Sequence, residues 1–261
     1  MYNKINDSIH MLIDNTTETN ISKVIKQQNI QYLLFRFNGT NSTSISLDDL
    51  TGKITVKGEC SIDNIPFNEL NKMTDGFMGY ARAKEGTTFD FVALLPVNCR
   101  NYSGNMYLEI SNFNDTDEHR IRVDAITSIL LDNPIEMSFL QESISGTTSK
   151  LYDLGYTPYI FIDASDSSKI GNISITGNIT KTSYVNKDFD TLNLLSNITH
   201  RIETDKSFII LDVSNMLVNR EPLTVRINTI GATDIKLISF GNIIYNPEDS
   251  NIHMQEPDTK Y

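Results

Sequence analysis

The chain has no tryptophan, only two cysteines and no long apolar run, and each shortage narrows the classes of protein to consider. Cys60 and Cys99 have no CxxC partner, and a reducing cytosol would keep them as thiols. We therefore expect buried or loop thiols rather than a catalytic nucleophile.

No apolar stretch approaches the roughly 18 to 20 residues that a membrane-spanning helix needs. The first fifteen residues also lack the apolar core of a secretory signal, so we expect a cytosolic protein.

Positive charge and histidine are also scarce. The chain has 22 Lys and Arg against 33 Asp and Glu, a formal net charge of −11 at pH 7. Nucleic-acid affinity depends on clustered Lys and Arg, so direct genome binding is not expected. The four histidines, at positions 10, 119, 200 and 253, form no metal-binding pair. No GxSxG, P-loop or GxGxxG motif occurs, so we predict no catalytic residue, no cofactor and no enzyme.

Two acidic turns are candidates for binding calcium through carboxylate oxygens. Asp115, Asp117 and Glu118 lie in one turn, and Asp163 and Asp166 lie in another. Neither turn has the spacing of an EF-hand loop, and a chain this acidic must expose many carboxylates. Solvated turns are the favoured interpretation, and a structural calcium at Asp115, Asp117 and Glu118 is the one weak metal prediction.

The residues that are abundant predict a β protein. Residues 86–96, GTTFDFVALLP, form a β-branched and aromatic run between a glycine and a proline, which is typical of a central strand. Residues 120–126 alternate cleanly, so one face should be wet and the other should face a core. Eight residues are expected in the core: Phe35, Phe89, Phe91, Leu94, Phe161, Phe208, Ile210 and Leu211.

The two halves of the chain repeat these features in the same order. Residues 86–96 have a weaker counterpart at 205–213, and each half has a short helical stripe, from Phe67 and from Phe189. The other matching segments are 32–37 and 159–164, 52–58 and 171–177, 107–110 and 223–227, and 119–123 and 234–238. Offsets this long indicate that the repeating unit is a whole domain.

These matches predict five segments along the chain. Residues 1–30 form an N-terminal arm, 31–131 a first β domain, 132–158 a connection, 159–245 a second β domain and 246–261 a polar tail. Apolar spacing in the arm suggests a short helix ending near Ile25, capped by Asn20 or Ser22. A second short helix is expected at residues 136–142.

The order of these elements resembles the double jelly-roll major capsid proteins of icosahedral tailless viruses. It is most similar to the compact kind in membrane-containing bacteriophages of the corticovirus and flavobacterial-phage type. The resemblance is carried by residues 33–39, 52–58, 67–70, 89–96 and 108–126, with their counterparts in the second half, and covers most of residues 31–245. It is a match in topology and length, and no individual functional residue is carried over.

The resemblance implies an all-β fold of two tandem eight-stranded antiparallel jelly-roll sandwiches with short helices in loops. It also implies a virion protein, assembled in the host cytoplasm, whose homotrimers have a pseudo-hexagonal outline and tile an icosahedral shell beside other capsid proteins. An internal viral membrane is a further implied partner, although residues 1–20 are near neutral to acidic, unlike the basic arms of many family members. The alternative is a lectin-like β-sandwich that binds a carbohydrate or receptor as a spike or vertex component.

The first testable prediction concerns the central strand. Phe91→Ala removes a large side chain from the expected core and should lower the free energy of unfolding by about 3 to 5 kcal/mol. Thermal melting measures the change. Near-normal melting of the variant would show that the strand is misassigned.

Overall fold

The computed structural model describes residues 8–26, 29–78, 81–99, 105–114, 116–127, 135–155, 159–177, 183–200, 208–213 and 222–242. Strands account for most of them, and the two α-helices have twelve residues each. The strands are β1 (Ser8–Thr16), β2 (Ile21–Lys26), β3 (Ile30–Ile45), β4 (Lys53–Lys57), β5 (Ser61–Pro66), β6 (Arg82–Lys84), β7 (Gly86–Cys99), β8 (Asn105–Ser111), β9 (Glu118–Thr127), β10 (Ile135–Gly155), β11 (Tyr159–Ala164), β12 (Ile170–Gly177), β13 (Ser183–Lys187), β14 (Phe208–Asp212) and β15 (Leu223–Asn242). The helices are α1 (Phe67–Met78) and α2 (Phe189–His200), and single 3-10 turns lie at Leu47–Asp49 and Ser167–Lys169.

The first half of the chain forms a sandwich with a phenylalanine-rich interior. One layer is a five-stranded antiparallel sheet in the order β1-β9-β3-β7-β6. Its longest pair joins β3 to β7, with Phe37 opposite Phe91. Strands β2, β8, β4 and β5 form the other layer. Phe37 lies between the layers, with its ring centroid 5.1 Å from that of Phe89 and 4.9 Å from that of Phe113.

The second half continues the sheet that contains β5. That ten-stranded sheet runs β13-β12-β15-β10-β5-β4-β8-β2, and β11 and β14 branch from β15. Strands β10 and β15 pair along almost their full lengths, from Ile135 opposite Asn242 to Gly155 opposite Leu223. Strand β15 also pairs with β12 near its start and with β11 near its end. The halves meet where β10 lies parallel to β5, with Met137 opposite Ile62.

The two helices occupy equivalent positions, as the repeat predicts. Each follows the second strand of a hairpin, β5 or β13, and each comes before a largely buried strand, β7 (after the short β6) or β14. Helix α1 buries Phe67, Leu70 and Met73 on one stripe. In α2, Phe189 and Leu192 are buried, and the Asp188 carboxylate accepts a hydrogen bond of 2.7 Å from the backbone N–H of Thr191. That contact is a standard N-cap and explains where α2 begins.

The expected core is confirmed. All eight predicted residues are buried, and Leu94, at 8% exposure, is the most accessible of them. The alternation in residues 120–126 is confirmed as well, with Ile121, Val123 and Ala125 facing inward. Phe161 and Phe208, from the second half, pack in the same cluster as the phenylalanines of the first. A continuous apolar core therefore crosses from one sandwich into the other.

Both short helices predicted outside the repeats are wrong. The segment through Ile25 is strand β2, which pairs with β8, and the segment before it is β1, which pairs with β9. Residues 136–142 belong to β10, which bonds to both β15 and β5. Pairing with distant strands satisfies the backbone and overrides a weak local preference for helix. The predicted arm and connection thus supply strands to the sheets, whereas the predicted tail, 246–261, lies outside the described residues.

A cluster of charged side chains is buried where the two halves meet. The Lys72 Nζ of α1 lies 2.9 Å from Asp163 Oδ2 on β11 and 2.8 Å from Asp48 Oδ1. The Lys236 Nζ of β15 lies 2.5 Å from Oε1 of Glu69, a residue with no exposed surface. Among the described residues, the second oxygen of Glu69 has no hydrogen-bond partner. The cluster therefore ties α1 to two strands of the other half.

The pKa shifts in this cluster follow from burial and proximity. Burial, and then the Asp163 carboxylate, raise the pKa of Glu69 above its ordinary value. Burial opposes the charge on Lys72, but the attraction of Glu69 and Asp163 outweighs it, so the pKa of Lys72 is raised. Lys72 thus faces both buried carboxylates, at 2.9 Å from Asp163 and 3.8 Å from Glu69, and Lys236 gives Glu69 a second cation.

The second prediction tests the role of Lys72. Lys72→Met removes the cation 2.9 Å from the buried Asp163 carboxylate and leaves Lys236 paired with Glu69, so the free energy of unfolding at pH 7 should fall by about 3 kcal/mol. Lys57→Met is the matched control, because its pair with Asp63 is 3.6 Å long and both side chains are more than half exposed. The control should change stability by no more than about 0.5 kcal/mol. Urea denaturation measures both variants.

The difference in stability between the wild-type protein and Lys72→Met should depend on pH. Because the folded pKa of Lys72 is raised, its contribution is complete below the unfolded value of about 10.4 and is lost as the pH rises through the folded value. The wild-type protein and Lys72→Met should therefore converge in stability at strongly alkaline pH. Equal urea midpoints for the two proteins at pH 7 would contradict the role given to this cluster.

Candidate assembly surface

The outer face of the five-stranded sheet is rich in arginine for so acidic a chain. Leu33, Phe35 and Phe37 of β3 point into the core, so the residues between them point outward. Strand register brings eight charged side chains together on that outward face: Arg36, Arg82, Lys84, Arg120, Arg122, Asp90, Glu118 and Asp124. We call these eight residues the arginine face. It carries an excess of positive charge, and it holds four of the eight arginines of the chain.

Carboxylates on the same face hold three of these arginines, Arg36, Arg82 and Arg122, in place. Arg36 donates to both oxygens of Asp90, at 2.7 and 3.0 Å, and Arg82 donates to the second of them at 2.9 Å. Arg122 binds Asp124 in the same two-pronged way, at 2.8 and 2.9 Å. Partial burial opposes ionisation of Asp90, but the hydrogen bonds from the two arginines outweigh it and lower the pKa of the carboxyl. The guanidinium groups are therefore ordered before any partner arrives.

An open depression lies between the arginines. Its volume is about 490 Å³, and its lining includes the apolar Leu34 and Val92 beside Arg36, Arg82 and Arg122. A surface that combines fixed guanidinium groups with an apolar floor suits a partner that presents carboxylates beside apolar side chains. None of the described residues that line the depression is a serine, threonine, cysteine or histidine.

Exposed apolar side chains lie along the adjoining edge of the sandwich. Ile9 and Met11 on the edge strand β1 are 65% and 54% exposed, and Val24 on the edge strand β2 is 64% exposed. The two strands touch through Lys23, whose ammonium donates to the backbone carbonyl of Leu12. Ile9 and Met11, opposite Ile126 and Asp124 of β9, lie on the outward face of the five-stranded sheet, whereas Val24 lies on the outward face of the other layer. We call Ile9 and Met11 the apolar edge. Grouped apolar side chains on strand edges are typical of surfaces that pair with another protein.

The structure describes two of the three calcium candidates, Asp117 and Glu118. Asp117 accepts a hydrogen bond of 2.6 Å from the backbone N–H of Ser42, and Glu118 begins β9 with an exposed side chain. Asp115 lies outside the described residues. In the described ranges no group of three His, Cys, Asp or Glu side chains is arranged to hold a metal ion. A calcium site at this turn stays a prediction.

The second acidic turn has a structural role. Asp163 is buried in the charged cluster, whereas Asp166 caps the 3-10 turn by accepting from the backbone N–H of Ser168 at 3.1 Å. Of the histidines, His119 is buried beside Phe37, with ring centroids 5.8 Å apart, and His10 lies exposed on β1. His200 ends α2, and His253 lies outside the described residues.

The structure brings the two cysteines together, which the sequence did not reveal. Cys60 and Cys99 are both buried, and their sulfur atoms lie 3.5 Å apart in a weak hydrogen bond. The hydrogen bond with Cys99, together with burial, raises the pKa of the Cys60 thiol. Thirty-nine residues separate the pair, so no local motif could have indicated this contact. The expectation that both are buried or loop thiols is confirmed by their burial.

None of the helices in the described part of the chain is both long and apolar enough to span a membrane.

Comparisons with known proteins find likeness in structure but not in sequence. No protein-family model matches the chain, and no curated protein matches it. A chain in the atomic structure of Sulfolobus turreted icosahedral virus matches with a TM-score of 0.65 and 7% identity, covering 89% of each chain. The major capsid protein P2 of bacteriophage PM2 matches with a TM-score of 0.57 and 13% identity, covering 92% of this chain and 99% of that one.

A third match extends the set to another virus. A chain of the PBCV-1 virus capsid has a TM-score of 0.57 and 9% identity, and the match covers 92% of this chain and 94% of that one. Likeness at such low identity shows the fold, and the fold is the all-β double jelly roll that the sequence predicts.

The third prediction concerns the arginine face. Asp90→Asn removes the carboxylate that Arg36 and Arg82 share, and should lower the free energy of unfolding by about 1 kcal/mol at pH 7. Because the folded pKa of Asp90 is lowered, this contribution is present above the unfolded value of about 3.9 and is lost as the pH falls through the folded value. Asp63→Asn, at an exposed pair, is the control.

Chemical denaturation at pH 7 and near pH 2 measures the effect. We expect the wild-type protein and Asp90→Asn to differ at pH 7 and to converge near pH 2. A difference of the same size at both pH values would mean that Asp90 does not act through its charge.

Proposed function

We propose that this chain is the major capsid protein of an icosahedral virus and that three copies form a capsomer of pseudo-hexagonal outline. The observation that carries the proposal is the match along almost the whole chain to viral structures. At least 89% of this chain is covered in each of the three comparisons, and two of the matched structures are described as capsid proteins or capsids. Each superposition therefore includes both sandwiches of this chain at once.

The way the halves are joined suits a shell subunit. The continuous core, the β5–β10 ladder and the buried charged cluster hold the two sandwiches in one relative position. Two similar sandwiches in each chain allow three chains to approximate a hexagon, a shape that tiles a surface. A closed ring of three requires heterologous contacts, in which different surfaces of neighbouring copies meet.

Two surfaces supply such contacts. The apolar edge offers area that a single chain leaves in water, and the arginine face is positive while the chain as a whole carries −11. Acidic surfaces of a second copy therefore complement the arginine face. Repulsion between such acidic subunits should weaken with added salt, so ionic strength favours association.

The role of a capsid protein also implies where this protein acts and which partners it has. The protein acts without catalysis, in the virion, after assembly in the host cytoplasm. Its partners are other copies of itself, other capsid proteins and an internal viral membrane, and the net charge disfavours direct contact with nucleic acid. A calcium ion at Asp115, Asp117 and Glu118 would add to the effect of salt. Calcium and sodium compared at equal ionic strength separate specific binding from screening.

The fourth prediction tests self-association. The full chain should form trimers or larger symmetric assemblies as concentration and salt rise, measured by light scattering and mass photometry. Ile9→Lys with Met11→Lys places two charges on the apolar edge and should reduce association at least tenfold without changing the melting temperature, because both side chains are exposed. Leu194→Lys, at a side chain 57% exposed on α2, is the control and should assemble normally.

A protein that stays monomeric at every concentration and salt tested would contradict the proposed function. Saturable binding in a glycan array would instead favour the lectin-like alternative. Turnover of a small substrate, abolished by a point mutation, would identify an enzyme.

A further inference from the structure

The two cysteines belong to different layers of the first sandwich. Cys60 lies at the end of the turn that enters β5, in the ten-stranded sheet, where its carbonyl accepts a hydrogen bond of 3.1 Å from the backbone N–H of Gly58. Cys99 is the last residue of β7, in the five-stranded sheet. The exposed fractions of the two residues are 1% and 0%. The chain has no other cysteine, so each of these thiols has one possible partner within the molecule.

The separation of the sulfur atoms is close to what a covalent bond needs. They lie 3.5 Å apart, and a disulfide requires about 2.05 Å, so small side-chain rotations in a packed core must close roughly 1.5 Å. Thiols this close, on two different sheets, are positioned to be linked without reordering either strand.

We propose that Cys60 and Cys99 are a disulfide-forming pair that links the two layers of the first sandwich when the protein meets an oxidising small disulfide such as oxidised glutathione. This inference rests on the proposed function in one respect: a virion leaves the reducing cytosol in which its subunits are made. Inside the cell the pair stays reduced, and the bond forms after release.

The reaction needs one molecule of small disulfide for each chain. One protein thiolate attacks a sulfur of the small disulfide, forming a mixed disulfide and releasing one small thiolate. The second protein thiolate then attacks the protein sulfur of that mixed disulfide, forming the Cys60–Cys99 bond and releasing the second small thiolate. The protein thiols lose two electrons and two protons. The small disulfide gains the electrons, and the released thiolates take up the protons.

Burial makes the reaction slow and directs its outcome. The small disulfide reaches the sulfur atoms only when the turn at residues 58–60 or the end of β7 opens locally. The hydrogen bond between the thiols raises the pKa of Cys60 and lowers that of Cys99, so Cys99 is the thiol that ionises first, and the rate should increase with pH. Once the first sulfur has reacted, its neighbour lies in contact, so the mixed disulfide should resolve within the chain.

The consequence is a more stable link between the two layers. The closed loop contains β5, α1, β6 and β7, and therefore includes Glu69 and Lys72 of the charged cluster. Closing a loop of this length restricts the unfolded chain, and the melting temperature should rise by about 5 to 10 °C. The disulfide would thus also stabilise helix α1, whose Glu69 and Lys72 contact the second half.

The experiment uses the reduced full chain incubated with oxidised glutathione at pH 8. Intact mass spectrometry should show the loss of two hydrogen atoms per chain without an added glutathione, and peptide mapping under non-reducing conditions should show the Cys60–Cys99 link. The melting temperature should rise, and a reducing agent should reverse the rise. The double variant Cys60→Ala with Cys99→Ala should melt at the same temperature with and without glutathione.

Several results would overturn the proposal. They are an unchanged mass after prolonged incubation, glutathione retained on either cysteine, disulfides between chains, or a link that leaves the melting temperature unchanged. Cys99→Ala alone should take up at most one glutathione and gain no stability. The mass and the melting temperature are measured on unassembled chains, so this test does not depend on assembly. A protein that forms the Cys60–Cys99 link but never assembles would contradict the proposed function and support the disulfide proposal.

Discussion

The structure depends on one joint, where β10 of the second half lies beside β5 of the first. Because β10 also pairs with β15 along almost its whole length, a single sheet runs through both sandwiches. Neither half can tilt without breaking ladder hydrogen bonds, exposing the shared core of Phe161 and Phe208, or separating buried charges. Domains that only touch are expected to move relative to each other. The continuous sheet, the shared core and the charged cluster therefore all oppose a change in the relative position of the two sandwiches.

The sequence predicted the parts of the fold that depend on nearby residues. The run around Phe91, the alternation after Arg120 and the apolar stripes from Phe67 and Phe189 each show a period that a strand or helix imposes. The order of these features predicted the duplication, and the comparisons show the corresponding double jelly roll. These periodic patterns are visible in the sequence because each of these elements turns one face toward the core.

The parts that were missed depend on partners far along the chain. Strands β1 and β2 have apolar spacing close to that of a helix, and only pairing with β9 and β8 makes them strands. The arginine face consists of side chains from β3, β6, β7 and β9, so no window of sequence shows it. The same holds for the contact between Cys60 and Cys99. Register between distant strands decides these features, and a single sequence does not encode register in any local pattern.

The central claim is that this double sandwich assembles into capsomers. Electron microscopy of the purified full chain, at high protein concentration and moderate salt, tests it most directly. We expect particles with threefold symmetry and a pseudo-hexagonal outline, in which each chain contributes two upright sandwiches. Single two-lobed particles in every condition, with no threefold class, would contradict it.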